Sequence, residues 1–275
     1  MTKKGSDSRQ DCSNQATRRM TYMNPIRAFI FDIGGTLYRP AHDICREFLI
    51  ELGIETARSI SYDELAGIMA ESGRRWLDEY MVTHGVGQYW KPTTDIWIEY
   101  DRIFLSALGV RGNLDELAVE YQQKWDALFK NIELTLMDGC REVLQDLRAS
   151  GYSLAVVSNR FDDPRPMLAR DSIIDLYDVV DYSNVPGYRK PAPFMLLRAA
   201  DKMGVPPETC VYVGNTVEDD VVAAQRAGMQ PVLITWCEPN LQSSDIPDDV
   251  VVINHIRELM SITEEDFHED TQSVL

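Results

Sequence analysis

The apolar positions of this chain fall into two kinds of pattern. "IRAFIFD", "GYSLAVVSN", "TCVYVGN" and "MQPVLITW" are short runs that are apolar at consecutive positions rather than at alternate ones. Strands buried on both faces read this way, as in parallel sheets covered by helices. The stretches between them are spaced as helices. "GCREVLQDLRAS" stops before Gly151, "PAPFMLLRAADKMG" opens on Pro191 and Pro193 and closes on Gly204, and "VEDDVVAAQRAG" opens on acids and closes on Gly228. Acids near the start suit the positive end of the helix dipole, and glycine suits the left-handed residue that ends a helix. Strands alternating with such helices predict an α/β domain with a parallel sheet.

Residues 42–130 break the alternation. They offer "DICREFLIELG", "SYDELAGIMAESGRRWLDEYM", "TTDIWIEYDRIFLSALG" and "NLDELAVEYQQKWDALF", all helical patterns with no convincing strand between them. In the last, Asn113 is placed as an N-cap with Glu116 three residues on. Four helices of this length predict a bundle inserted after the first strand. The division expected is a core domain from 25–40 and 131–260, with an all-helical domain over 41–130. A helical domain above the carboxyl ends of a parallel sheet makes a closable cleft. Residues 1–24 read as a flexible tail, and 261–275 as an acidic one. After Trp236 the pattern gives a loop, a short strand and a final helix.

Composition narrows the partners. The 275 residues carry a formal net charge of −17. Basic residues are adjacent only as isolated pairs, in "TKKG", "TRRM", "GRRW" and "YRKP". Such a surface repels phosphate backbones, so neither nucleic acid nor an anionic membrane is expected as partner. The five cysteines, Cys12, Cys45, Cys140, Cys210 and Cys237, are far apart and contain no CxxC pair. Buried free thiols in a reducing cytoplasm are the expectation. No apolar run is long enough to span a bilayer, and the first twenty residues lack the apolar stretch of a secretory signal. A monomer or homodimer acting on a small anionic substrate fits these bounds.

The chemistry gathers where the strands are expected to end, which is where open parallel sheets bind ligands. Asp32 follows the first strand, Ser158 and Asn159 the second, and Asn215 the third, with Asp219 and Asp220 close behind and Lys190 on a loop. A carboxylate attacks an electrophilic phosphorus or carbon to give a covalent intermediate. A hydroxyl and a lysine hold the transferring oxygens as charge builds. An acidic cluster holds a divalent cation. The backbone amides of Gly34, Gly35 and Thr36 suit an anion-binding nest.

In order and spacing these strings resemble the haloacid dehalogenase-like superfamily across residues 27 to 235. "DIGGTL" is similar to its first motif, "VVSN" to its second, "GYRKP" to its third and "VGNTVEDDVVAAQRAGM" to its fourth. The resemblance implies a Rossmann-like core with a helical cap inserted after the first motif. It implies Asp32 as nucleophile, Thr36 as the motif's threonine, Ser158 on the phosphate, and Lys190 beside the nucleophile. It also implies Mg2+ held by Asp32, the carbonyl of Gly34, Asn215 and one of Asp219 or Asp220, which stand at the family's two alternative spacings.

Two positions depart from the pattern. Gly34 stands where the family's phosphatases carry a second aspartate that protonates the leaving oxygen and activates water. Asn215 stands where an aspartate normally binds the cation, and a neutral oxygen weakens such a site. Three readings are open. The first is a hydrolase of small phosphate monoesters, impaired in general acid catalysis. The second is a catalytically weak or inactive protein used for binding or regulation. The third is a 2-haloacid dehalogenase, whose halide leaves without a proton. Phe194, where dehalogenases carry a tyrosine soon after the lysine, counts against the third. Arg74 and Arg75 are candidates for the anionic substrate, Trp76, Tyr80, Tyr89 and Trp90 for the cleft wall, and His42 for the missing acid.

Overall fold

A computed structural model describes residues 25–39, 44–131, 134–237, 244, 246–247 and 250–262. The tail expected at 1–24, His42, and all of the tail expected at 261–275 except its first two residues lie outside the described residues. Six parallel strands form one sheet: Ala28–Phe31 (β1), Ser153–Ser158 (β2), Val179–Tyr182 (β3), Cys210–Gly214 (β4), Gln230–Ile234 (β5) and Val251–Ile253 (β6). Their order is β3-β2-β1-β4-β5-β6, and every pairing is parallel.

The consecutive apolar runs have the physical origin expected of them. In β1, Phe29 and Phe31 join a cluster with Val143, Leu144 and Leu147, while Ala28 and Ile30 join one with Leu196, Ala199 and Ala223. The first of these partner sets comes from the helix Cys140–Ala149, the second from Phe194–Met203 and Val222–Ala227. A strand covered on both sides has no polar face to show. β3 is a strand that the four apolar runs do not include. Its sequence, VVDY, carries a carboxylate in the middle, Asp181, which is fully buried.

Among the described residues between β1 and β2, the chain forms five helices before the sheet-covering helix: Ile44–Glu51 (α1), Tyr62–Met69 (α2), Arg75–Thr83 (α3), Thr94–Ala107 (α4) and Leu114–Asn131 (α5). They enclose their own apolar cluster, centred on Leu49, Leu65, Phe104, Leu105 and Tyr121. The capping expected at Asn113 is present, its Oδ1 accepting from the Glu116 amide at 3.4 Å. The long second pattern forms two helices, because a π-helical turn over Ala70–Arg74 joins α2 to α3. One extra residue in a helical turn rotates the rest of the helix about its axis, and such turns recur at functional sites. The remaining helices are Cys140–Ala149 (α6), Arg165–Arg170 (α7), Phe194–Met203 (α8) and Val222–Ala227 (α9). The last described segment makes a 3-10 turn over Ile256–Glu258 and runs on as helix over 259–262, where a final helix is expected. Among the described residues Cys45, Cys140, Cys210 and Cys237 form no disulfide, and no helix is long and apolar enough to cross a membrane.

Candidate active site

The strand order reverses between β1 and β4, and at such a switch point the loops diverge to leave a crevice. Asp32 leaves β1 there, its amide donating to the Val213 carbonyl at 2.9 Å, and Asn215 leaves β4 beside it. The loop after Asp32 turns tightly, with the Gly35 amide donating to the Tyr38 carbonyl at 2.8 Å and the Trp236 indole donating to the Gly35 carbonyl at 2.8 Å. Gly35 has φ +77°, and a Cβ there would lie 2.4 Å from Asn215 Nδ2. Only glycine satisfies both demands. Gly34 is under neither, since a Cβ at that position meets nothing within 4 Å.

Lys190 is the centre of the site. It is buried, and its ammonium donates to Asp32 Oδ1 at 2.6 Å, to Asp220 Oδ1 at 2.6 Å and to the Tyr212 hydroxyl at 2.8 Å. All three of its hydrogens are thereby used. Burial works against the charge, but Asp220 and Asp32 override it and hold the ammonium above its ordinary range. The two carboxylates differ. Asp220 accepts on Oδ1 from Lys190 and Tyr212, and on Oδ2 from the amides of Asn215 (3.1 Å) and Thr216 (3.0 Å) and the Thr216 hydroxyl (2.8 Å). Burial opposes its ionisation, yet Lys190 and these donors hold it below the usual carboxylate range. Gly214 makes this possible, because a Cβ there would stand 2.3 Å from Asp220 Cγ. Asp32 has fewer donors. Burial pushes its carboxyl up, Lys190 opposes that, and Asp220 adds to it.

The remaining sequence candidates divide. Ser158, at the end of β2, is buried. Asn159 accepts from the Lys190 amide at 2.8 Å and donates to the Lys190 carbonyl at 3.0 Å, which clamps the lysine's backbone. It also donates to Asp219 Oδ2 at 3.3 Å. Asp219 is half-buried, and burial raises its carboxyl, with Lys190 opposing. Thr36 is fully buried and donates to Asn215 Oδ1 at 3.5 Å, a loop-fixing contact. The two spacings for the later carboxylate are thus distinguished. Both residues lie on the π-helical turn Val217–Val221, where neighbouring side chains leave in different directions, and Asp220 folds back onto the lysine while Asp219 faces Asn159.

Arg74 and Arg75 diverge for the same reason. Arg74, at the end of the π-helical turn, donates to Asn184 Oδ1 at 2.7 Å and lies 3.3 Å from Asp78. Arg75 is exposed and its nearest acid is Glu71 at 3.8 Å, so the structure does not bring it to the other candidates. Of the cap aromatics, Trp76 and Trp90 pack with Trp97, Tyr100 and Phe161 around Leu77, Met81 and Val185, a seam joining α3 and α4 to the loops after β2 and β3. Tyr89 donates to Asp181 at 3.1 Å, beside Gln88 (3.0 Å) and Arg198 (Nε to Oδ2, 2.8 Å). Tyr80 stacks on His84, with ring centroids 4.0 Å apart.

Sequence reasoning missed Tyr212, Asp78 and Asn184. Tyr212 had a signal, since a tyrosine inside a buried parallel strand must find a partner for its hydroxyl. The other two had none.

These features, a carboxylate at the switch point bridged by a buried lysine to a second carboxylate, form the candidate active site of a doubly wound fold. The model of the family described as haloacid dehalogenase-like hydrolase matches residues 26–228, and the chain belongs to that family. It is 27% identical to a glyceraldehyde 3-phosphate phosphatase of Methanothermobacter thermautotrophicus over 86% of this chain and 99% of that one. It is 26% identical to a phosphoglycolate phosphatase of Aquifex aeolicus over 81% of this chain and 91% of the other. The fold is shared with a putative beta-phosphoglucomutase from Thermotoga maritima, at TM-score 0.58 and 20% identity over 87% of this chain and 99% of that structure.

Proposed function

We propose that the chain is a phosphatase of small phosphate monoesters that works through an aspartyl phosphate at Asp32. The observation that carries this reading is the Lys190 bridge. It fixes Asp32 Oδ1 at 2.6 Å at the switch point and leaves Oδ2 as the attacking oxygen. The names of the relatives support the substrate class.

Attack of Asp32 Oδ2 on phosphorus forms the acyl–phosphate bond and breaks the bond to the leaving oxygen, which departs with the electron pair. The Ser158 hydroxyl and the Gly34 amide hold the phosphoryl oxygens as their charge redistributes, beside the charge of the Lys190 ammonium. The Gly35 and Thr36 amides, expected in an anion nest, are already engaged by the Tyr38 and Ile33 carbonyls. With glycine at 34, the leaving oxygen takes its proton from water. Water then attacks phosphorus and returns Asp32 as a carboxylate. That second step is the slower one, because no carboxylate at 34 accepts water's proton. Asp32 acts ionised, and burial raises its carboxyl, so activity falls on the acid side at a pH above the ordinary carboxylate range.

The donor set suits a weak magnesium site. Asp220 has no oxygen without a protein donor. What is left beside the nucleophile is Asp32, the Gly34 carbonyl and the neutral Oδ1 of Asn215, with Asp219 beyond them. Among the described residues no three acidic, histidine or cysteine side chains are grouped to hold a metal. Mg2+ commonly binds through one or two carboxylates plus water and substrate phosphate, so Asp32, Gly34 and Asn215 are the ligands we assign. Bound there, the cation neutralises charge on the phosphoryl group.

We assign α1–α5 the role of a cap domain whose closure over the site excludes water, and the cytoplasm as the compartment that keeps the thiols free. The test is phosphate release from a panel of phosphate esters including p-nitrophenyl phosphate, with and without Mg2+. Turnover that drops about 10³-fold or more in Asp32→Asn is expected. Absence of turnover on every ester would move the weight to a binding role for the same fold.

A further inference from the structure

The seam beside the active site holds two guanidiniums and one carboxylate. Arg189, the residue before Lys190, grips Asp78 of α3 end-on, Nη1 to Oδ1 and Nη2 to Oδ2, both at 2.6 Å. Arg74 reaches the same carboxylate at 3.3 Å. The other acceptors are neutral, Asn184 Oδ1 for Arg74 and the Asn184 carbonyl, at 3.2 Å, for Arg189. The side chains of Arg74, Asp78 and Arg189 are only 32%, 26% and 19% exposed. Two positive charges therefore share one close negative charge in a partly desolvated place. Arg189 directly precedes Lys190, whose backbone is held by Asn159, and Asn159 in turn donates to Asp219, so the seam lies next to the catalytic pocket.

We propose that Arg74 and Arg189 form a subsite for a carboxylate carried by the substrate, and that Asp78 is the internal carboxylate that competes for it. The fork of Arg189 is already set for a carboxylate, the geometry that makes such pairs strong and directional. Phosphorylated small acids are thus the substrate class, with the phosphoryl group at Asp32 and the acid group between the two arginines. Because Arg189 comes from the loop after β3 and Arg74 from the π-helical turn between α2 and α3, a bound carboxylate also ties the two together. The inference rests on the phosphatase reading of the neighbouring site.

The test compares a phosphorylated two-carbon hydroxy acid with the methyl ester of its carboxyl group. Binding is measured by calorimetry on full-length Asp32→Asn, which does not consume the ligand, and turnover on the unmodified chain. The acid is expected to bind about tenfold or more tighter than the ester. Adding Arg189→Met or Arg74→Met removes that preference. Adding Asp78→Asn does the opposite, tightening the acid several-fold and leaving the ester unchanged. A purely structural latch predicts that Asp78→Asn weakens both ligands, so this variant decides the matter even where an arginine variant fails to fold. Equal binding of acid and ester, binding of neither, or weaker acid binding in Asp78→Asn overturns the proposal. The preference without any phosphate release keeps the subsite and removes the phosphatase reading. Turnover with equal kcat/KM on both probes does the reverse.

Discussion

The carboxyl ends of the strands and the seam beside them are both rich in charge, but they are assembled differently. At the strand ends Asp32, Lys190 and Asp220 are buried together, and Asp220 is fixed further by donors of its own loop. Asp220 takes three of its hydrogen bonds from Asn215 and Thr216, only five and four residues away. At the seam the ion pair of Arg189 and Asp78 is partly open to solvent, its side chains 19% and 26% exposed. The first arrangement is rigid and suits a nucleophile that must be held before substrate arrives. The second is half-exposed and exchangeable, which suits recognition and closure.

The sharpest way to break the comparison is to remove a strand-end charge. Asp220→Ala leaves the Lys190 ammonium short of one carboxylate and strips three donors in the motif-four loop of their acceptor. Urea denaturation should show a loss of about 3–5 kcal/mol, the range for breaking a buried pair by removing one partner. Removal of the buried charge in β3, beside the seam, comes next. Asp181 is 0% exposed and holds Arg198, Gln88 and Tyr89, linking the loop after α3 to β3. Asp181→Ala should cost about 2–3 kcal/mol, less because Arg198 can reach water. Proteolysis within 84–93 should also speed up, whereas equal protection in the two proteins would mean that this link does not hold the helices to the sheet.

A gain is expected at Gly34. The space around its Cβ position is open and its φ is not in the left-handed region, so Gly34→Asp fits without displacing a neighbour. Steady-state turnover should rise about 10–100-fold if only the acid is missing. An unchanged rate would locate the deficit at the cation site instead.

The smallest effect concerns Asp101 of α4. It is buried, its Oδ2 has no hydrogen-bond partner, and burial, reinforced by Asp126, pushes its carboxyl up to about 8. Unfolded, the group ionises near pH ~4. Between those values the folded chain keeps a proton that the unfolded chain has lost. Its contribution to stability therefore falls as pH rises from about 4 to about 8, then levels off. Asp101→Asn should be more stable than the parent by about 1–2 kcal/mol at about pH 8.5 and gain little at about pH 4.5. The same gain at both pH values would contradict the burial argument.

How far the sequence could be read follows the same divide. Four of the six strands stand out as apolar runs, and "SN", "RK" and "EDD" announce the polar groups that end them or sit on nearby loops. β3 does not stand out, because Asp181 interrupts its apolar run, and only the distant Arg198, Gln88 and Tyr89 make that charge tolerable. The roles of Asp219 and Asp220 are open in the string and are separated by their angular positions on one turn. Arg74 and Arg75 are equivalent neighbours until the π-helical turn aims one at Asn184 and leaves the other with Glu71.

The central claim is that Asp32 is phosphorylated and that its hydrolysis is slow for want of a carboxylate at position 34. Rapid acid quench of the unmodified chain with a phosphate ester, followed by mass spectrometry of the Asp32 peptide, measures this directly. A phosphoaspartate at Asp32 should build up within the first turnover, and Gly34→Asp should shorten its lifetime. Phosphate release with no trace of label on Asp32, at quench times spanning the first turnover, would contradict it.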